Sequence, residues 1–423
     1  MTIYFAYKQA LYVQKLKKQK KYAWIYVKVC MLVLFVNGMV MQTSGIFFPH
    51  MRDDFGTDTA SVSLAVTVLN AVMVLFGPIA VKLVEKWKMK RVLPVALFAF
   101  AIFITGISYN EKLKMLYLLY ALCGCCMYFG IFYLCPYIVN HWFGDNAPQV
   151  IAIIIMFLAI GGSIGNLVLA KITEISTWRN AYRFVAVLLV ITAVVTAIFL
   201  KDDQEEVGLE RPKQGLKKEN KESQERKNTI TIENVYRQTE FYCVILYVAC
   251  MQLCVSVQSQ IPNLALSFGF TTAAGAIAAS LNSCGGIPAK FLLSICNVKI
   301  GVLKSVLLYN LVGICGIISL LVFQNPICLY IFALLFGFTI GSSTVQLPVL
   351  STRLFGCSAD YDKIHSRIVL ISGILAMPGS FIAGWSYDRT GSYQVALLAL
   401  IVNLTIAAVA VRIALRKKGG RNS

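Results

Sequence analysis

The spacing of charges constrains this chain more than any other feature. Eight windows hold no Asp, Glu, Lys or Arg: residues 29–51, 59–81, 92–110, 115–144, 146–170, 184–200, 368–387 and 390–411. Each approaches the ~20 residues with which a helix crosses about 30 Å of hydrocarbon. Two further windows, 241–289 and 305–352, are double length. Amides and proline favour turns, so Gln258-Ser259-Gln260-Ile261-Pro262-Asn263 and Gln324-Asn325-Pro326 are expected to divide each into two spans joined by a loop. Twelve spans result. Hydrocarbon satisfies no backbone polar group, so a spanning segment is a helix or a barrel strand, and continuous apolar runs of this length are helical. The expected fold class is an all-α membrane protein. Composition agrees, at 58% hydrophobic and 14% charged residues, against roughly 45–50% and about 25% in soluble domains. Disordered and fibrous chains need polar or low-complexity sequence.

The net charge of +19 comes from 39 basic and 20 acidic residues. Its placement follows topology. The N-tail carries Lys8, Lys15, Lys17, Lys18, Lys20 and Lys21, the loop after span 2 carries Lys82, Lys86, Lys88, Lys90 and Arg91, and the C-tail carries Arg416, Lys417, Lys418 and Arg421. With twelve spans both tails share a side, and 32 of the 39 basic residues lie on it. The positive-inside rule makes that side cytoplasmic, with the chain multi-pass in the cell membrane. Nucleic acid is not an expected partner; the lipid bilayer is. The first apolar run is too long for a signal-peptide core and no small-x-small site ends it, so it reads as an uncleaved anchor.

Of thirteen cysteines, all but Cys357 fall in or beside predicted spans, where cysteine behaves as a small hydrophobe. The cluster Cys123, Cys125 and Cys126 lacks the second Cys or His group of a zinc site. His50, His141 and His365 are scattered. No metal and no cofactor are expected.

Residues 201–240 hold nine basic and ten acidic residues and read as a solvated linker. The chain thus divides into a six-helix bundle over 1–200 with a basic tail, the linker 201–240, and a second six-helix bundle with a basic tail over 241–423. The halves also resemble each other. Val81-Lys82-Leu83-Val84-Glu85-Lys86-Trp87-Lys88 after span 2 aligns with Ser294-Ile295-Cys296-Asn297-Val298-Lys299-Ile300-Gly301 after span 8, at a shift of 213 residues. Two pseudo-symmetric six-helix halves are a transporter plan.

The chain resembles the major facilitator superfamily over all twelve spans. Gly77-Pro78-Ile79-Ala80-Val81-Lys82-Leu83-Val84-Glu85-Lys86 is similar to the family's loop 2–3 motif, glycine-x-leucine-x-aspartate-arginine-x-glycine, with Val81 and Lys88 at two glycine positions and Glu85 at the aspartate. The resemblance implies a gating role on the cytoplasmic side for Glu85, Lys86 and Arg91. Ser44-Gly45-Ile46-Phe47-Phe48-Pro49, Asp54-Phe55-Gly56, Trp142-Phe143, Trp178-Arg179-Asn180-Ala181-Tyr182 and the run from Gly384 to Tyr393 resemble the monocarboxylate and oxalate/formate branch. In that branch an arginine on span 8 contacts the substrate anion, and the matching position here is Lys290. Lysine keeps the charge but not the bidentate fork. The span 1 lysine of the animal monocarboxylate carriers falls at Gln42, and the span 11 lysine of the oxalate carriers has no counterpart between Ile368 and Tyr387. Those losses favour a monoanion over a dianion.

Without the family, Lys290 is still the clearest ionisable residue inside a span, and intramembrane charge is costly and commonly functional. The alternative is that it snorkels to the interface and only anchors the helix. No Asp or Glu lies deep in a span, which argues against a buried acid relay. Coupling could then use exchange, a substrate carrying its own proton, or the interface acids Asp54 and Glu174; uniport is also open. Candidate cavity residues are Asn37 and Gln42 on span 1, Tyr128 and Tyr133 on span 4, and Gln252 with Ser256 and Ser259 on span 7. Span 10 offers Thr339, Ser342, Ser343 and Gln346, which share one helical face. Such groups can equally hydrogen-bond between helices. No GxxxxGK(S/T) loop occurs, so ATP-driven transport is not expected.

The leading expectation is a secondary active or facilitative transporter that moves a small organic solute, a monocarboxylate first, by alternating access. It would act as a monomer, with a counter-substrate or proton as a second partner. Alternatives are a carrier or efflux pump for a neutral or amphipathic compound and, in another class, a transport-inactive sensor or scaffold. An enzyme is not expected, since the spans lack paired acids, a Ser/His pair or a metal cluster.

Overall fold

The structure, a computed structural model, describes residues 2–133, 147–200, 232–356, 358 and 360–419, with side chains from Ala23 onward apart from those at 132–133, 147–149, 152, 232–233, 362 and 417–419. The linker as far as residue 231 lies outside them. Among the described residues the regular elements are all helical. Span 1 is Thr2–Phe55, span 2 Thr59–Leu75 with Gly77–Trp87, span 3 Met89–Tyr109, and span 4 Leu113–Tyr128 continued by a π-helical turn Phe129–Tyr133. Spans 5 and 6 are Ala147–Ile175 and Trp178–Phe199. After a short helix Ile232–Val235, span 7 runs Thr239–Val257, a 3-10 turn Gln258–Gln260 and Ile261–Ser267. Span 8 is Thr272–Lys299, span 9 Val302–Phe323, and span 10 Pro326–Gly341 with Ser343–Phe355. Span 11 is Tyr361–Ala376 with Gly379–Thr390, and span 12 is Gln394–Gly419. The face carrying both chain ends is called the tail face below, and the other the far face.

Ten of these helices are long and apolar enough to cross a membrane, and the two segments of span 2, bent by 53°, make an eleventh together. Span 8 has the length, at 28 residues, or about 42 Å at 1.5 Å per residue. It falls short on apolarity because it carries Ser280, Asn282, Ser283 and Lys290. A polar helix is tolerated at membrane depth where protein or a wet cavity covers it.

One expected loop is misplaced. Gln258–Gln260 and Asn263 do not form the turn between spans 7 and 8; Ser259, Gln260 and Asn263 are buried within span 7. Their polar atoms are used internally. Gln260 Nε2 donates to the Ser380 carbonyl (3.1 Å), while its Oε1 accepts from Asn263 Nδ2 (3.0 Å) and the Tyr393 hydroxyl (2.9 Å). Pro262 falls in the first turn of its helix, where its missing N–H costs nothing. The turn comes at Gly269, with φ of +79°. The other expected break is where the amides placed it: Asn325 accepts from the Cys328 amide (2.8 Å) and Pro326 opens span 10.

The internal repeat appears in the backbone at the shift of 213. Thr59 and Thr272 open spans 2 and 8, Met89 and Val302 open spans 3 and 9, and Leu113 and Pro326 open spans 4 and 10. The caps match too. Asp58 accepts from the Ser61 amide (2.7 Å) and Thr271 from the Ala274 amide (3.2 Å). Between spans 2 and 3 Lys88 has φ 63° and ψ 149°, and its repeat partner Gly301 has φ 87° and ψ 155°. The turn thus demands a conformation that favours glycine, and the first half meets it with lysine.

Each half has its own apolar core, one drawn from Ala23 to Leu200 and joined by Ala276 of span 8, the other from Val235 to Ala414. Residues such as Ile102, Val187 and Leu398 are left exposed, as lipid-facing positions must be. Lipid is as apolar as leucine, so helices here associate by close packing. Gly124 of span 4 lies against the Leu69 carbonyl of span 2, and its repeat partner Gly337 of span 10 lies against the Asn282 carbonyl of span 8. A Cβ at either site would collide with backbone.

Candidate functional site

The halves meet along two seams, span 5 with span 8 and span 2 with span 11, and spans 1 and 7 touch between them. On span 8 three stripes separate cleanly. Ala278, Asn282, Gly285, Ala289 and Leu293 are buried against their own half, and Ile277, Cys284, Pro288, Phe291 and Ile295 are exposed. The third stripe, Ala276, Ser280, Ser283, Ile287, Lys290 and Ser294, faces the first half. Its first three members are buried, Ile287 and Lys290 are half-buried, and Ser294 is exposed. Span 2 repeats the gradient: Ala60 and Ser63 are buried, Thr67, Asn70 and Val74 half-buried, and Pro78 exposed. The halves are therefore sealed at the far face and part toward the tail face, leaving a cleft open on that side.

Hydrogen bonds hold the sealed part. Ser163 Oγ donates to the Ser280 carbonyl (3.1 Å) and Ser280 Oγ donates back to the Ser163 carbonyl (2.6 Å). Ser283 Oγ donates to Gln42 Oε1 (2.6 Å), and Gln42 Nε2 reaches the Leu158 carbonyl (3.4 Å). On the other seam Asp388 accepts from the backbone amides of Thr59 (3.1 Å) and Ala60 (2.7 Å). Close beside it, Gly384 packs on Ala60 and Ser63.

Lys290 lies seven residues below Ser283 on the same stripe, about 10 Å toward the tail face. Its ammonium makes no salt bridge with any described carboxylate. Lysine at the lipid stripe would snorkel, but that stripe runs through Pro288, Phe291 and Ile295 instead.

The other candidates are dispersed. Gln42 is at the closed end of the cleft, tied to span 8. Asn37 is fully buried, donates to the Val33 carbonyl (2.8 Å) and lies against Gly130 of span 4. Tyr128 is half-buried with its hydroxyl against Gly77, at the bend of span 2. The Tyr133 side chain lies outside the described residues. Gln252 is half-buried beside Gly373 of span 11. The span 10 face is turned into a helix seam: Thr339 donates to the Tyr309 carbonyl (2.8 Å), and Gln346 is fully buried with its amide paired to Asn297 (3.1 Å). Ser343 is half-buried and Thr344 exposed. Glu85, Lys86 and Arg91 are exposed at the tail face and make no salt bridge among the described residues. Of the interface acids, Asp54 accepts from Trp178 Nε1 (2.8 Å) beside Arg179 (3.4 Å), and Glu174 pairs with Lys171 (3.1 Å).

Sequence reasoning missed Ser163, Ser280, Ser283 and Asp388. Periodicity gives no sign that a serine meets another half. Asp388 did stand inside a phrase singled out for resemblance, as did Asp54 and Trp178, which the fold brings together.

Two halves, a cleft between them and a repeat that relates spans 2–4 to spans 8–10 narrow the choice of family. The sequence profile of the Major Facilitator Superfamily matches residues 30–360. The chain belongs to this superfamily. That superfamily is one of small-solute transporters, a family of carriers and not of enzymes. Among curated proteins it is similar to the 4-hydroxybenzoate transporter PcaK of Pseudomonas aeruginosa, 29% identical over 106 residues. That match covers 24% of this chain, and the chain spans only 23% of the relative's length. Among solved structures it is similar to a bacterial homologue of the human lysosomal transporter Spinster in an inward-facing, unoccupied conformation, with TM-score 0.68, 14% identity and coverage of 93% of this chain and 97% of that one. The nucleoside transporter NupG matches with TM-score 0.69 and 14% identity, over 93% of this chain and 99% of that one. Identities this low speak for the fold alone.

Proposed function

We propose that this superfamily member carries a small organic monoanion, a monocarboxylate, by alternating access between its halves 1–200 and 241–423, with its tail face cytoplasmic in the cell membrane. The observation that carries this reading is Lys290 on the cleft stripe, half-buried, with no described carboxylate in salt-bridge contact. A cation placed there needs a counter-charge, and a substrate carboxylate supplies it. Ser343 on span 10 of the same half, itself half-buried, and Gln42 at the closed end of the cleft would contribute neutral hydrogen bonds. The fragmentary likeness to a carrier of 4-hydroxybenzoate, an aromatic monocarboxylate, supports the same class. Described carboxylates are confined to span ends and loops, so the reading couples transport by anion exchange or by a substrate that brings its own proton.

The test is uptake and counterflow in proteoliposomes with labelled aliphatic and aromatic monocarboxylates, amino acids and nucleosides. A charge-assisted bond of about 1.5–3 kcal/mol corresponds to roughly 10–150-fold in affinity. Lys290→Gln should therefore raise KM for a carboxylate by that factor at unchanged expression, and Lys290→Arg should keep part of the activity. A Lys290→Gln carrier with wild-type KM for a transported carboxylate would refute the assignment.

A further inference from the structure

The far-face seam between spans 2 and 11 is held by a contact that the repeat does not explain. The first four amides of a helix have no intrahelical acceptor, and they form the positive end of its dipole. Span 2 divides its own among two carboxylates. Asp58, its N-cap, accepts from Ser61 (2.7 Å), whereas Asp388, from the other half of the protein, accepts from Thr59 (3.1 Å) and Ala60 (2.7 Å). Gly384 lies one helical turn before Asp388 and against Ala60 and Ser63, where a Cβ would crowd both. Span 11 thus offers a flat glycine for close approach and, four residues on, an acid that completes a helix cap across the gap.

The other seam is built differently. The position equivalent to Asp388 at the shift of 213 is Ile175, at the end of span 5, and it is 74% exposed. Span 8 begins with Thr271, which caps Ala274 from within the same helix. Its contact with span 5 is the serine pair 163 and 280, nearer the middle of the helix. Among the described residues, one of the two pseudo-equivalent seams carries a carboxylate-to-amide lock and the other does not.

We propose that Asp388 is a gating residue, the latch that keeps the far face of the cleft shut and biases the carrier toward the tail-open state. When the halves separate on this side, the carboxylate and two amides must part. Nothing in this role depends on which solute is carried or on Lys290.

The experiment uses the full-length chain in a cysteine-free background with Ser63→Cys, a buried position under Gly384. A membrane-impermeant maleimide is applied from each side of sealed vesicles separately, so that an error in orientation shows itself. Breaking charge-assisted hydrogen bonds shifts the open-to-closed ratio by roughly tenfold or more. Asp388→Ala should speed far-face labelling by that factor, Asp388→Asn should give an intermediate increase, and Asp388→Glu should restore slow labelling in part. Thr59→Pro tests the same bond from the other partner. It deletes one donating amide at the first helical position, which proline tolerates, and leaves Asp388 in place. It should also speed labelling, and it covers the case in which Asp388→Ala fails to fold. A latch of this kind moves accessibility in both variants, whereas a merely structural cap lowers thermal stability and leaves labelling slow. Unchanged far-face labelling in folded Asp388→Asn and Thr59→Pro would overturn the proposal.

Discussion

Replacing Lys88 with glycine should stabilise this protein, and replacing its repeat partner Gly301 with alanine should destabilise it by a similar amount. Both residues hold the turn onto the next span at positive φ, 63° and 87°, with ψ near 150°. A side chain in this region costs of order 1–3 kcal/mol. Glycine returns roughly 0.5–1 kcal/mol of that through the entropy of the unfolded chain. The net gain for Lys88→Gly is therefore about 0.5–2 kcal/mol, and Gly301→Ala should lose about as much. Nothing lies within 4 Å of the Cβ that Gly301→Ala introduces, so no clash with neighbours confuses the comparison. For a six-helix half of ~200 residues, at about 2–4 °C per kcal/mol, the shifts are of the order of 1–8 °C. The assay is thermal unfolding in detergent, followed by a thiol-reactive dye that reports the buried cysteines of either half. Lys88→Ala is the control, since it removes the long side chain and keeps the strain; it should gain nothing. If Lys88→Gly is no more stable than Lys88→Ala, or Gly301→Ala melts at the wild-type temperature, the reading of this turn is wrong.

Two further outcomes follow from the same geometry. Gly337→Ala puts a methyl into the Asn282 carbonyl; forcing spans 8 and 10 apart should cost about 1–3 kcal/mol, read as a lower melting temperature and a weaker monodisperse peak in size-exclusion chromatography. Hydrogen bonds from Ser61 hold the Asp58 carboxyl below the usual carboxylate range, so its contribution is present above the unfolded value and is lost as pH falls through the folded one. Asp58→Ala should then cost about 0.5–2 kcal/mol at neutral pH, and its gap from wild type should narrow in unfolding measurements below about pH 4.

Much of the architecture was legible because hydrocarbon leaves so few options. Charge-free windows located the spans, and the aligned segments after spans 2 and 8 revealed a shift that also relates caps and turn conformations. What failed was the assumption that polar means solvent. Gln260 and Asn263 looked like a loop because a sequence does not show that Ser380 and Tyr393 will absorb their hydrogen bonds. Gln346 looked like cavity lining because a helical stripe reports that a neighbour is polar, not whether that neighbour is water or Asn297. Lys290 was findable, since a lone charge in a span is conspicuous, but its direction became clear only from the exposure of Pro288, Phe291 and Ile295 beside it. Asp388 sits near a span end, where acids are ordinary, and only the fold shows which amides it meets.

The serine pair 163 and 280 has a mechanical consequence. Ser280 stands nine residues from Thr271 and ten from Lys290, so it divides span 8 into arms of about 13 and 15 Å. If the halves rock about this point, span 8 acts as a lever of nearly equal arms. Whatever gap opens at the far face is matched by a similar stroke that drives Lys290 toward the first half. The clearance needed to admit a solute and the clearance left around it at the lysine are then set by one angle. Such a carrier has a built-in size limit, because a longer solute that blocks the lower arm also prevents the upper one from opening.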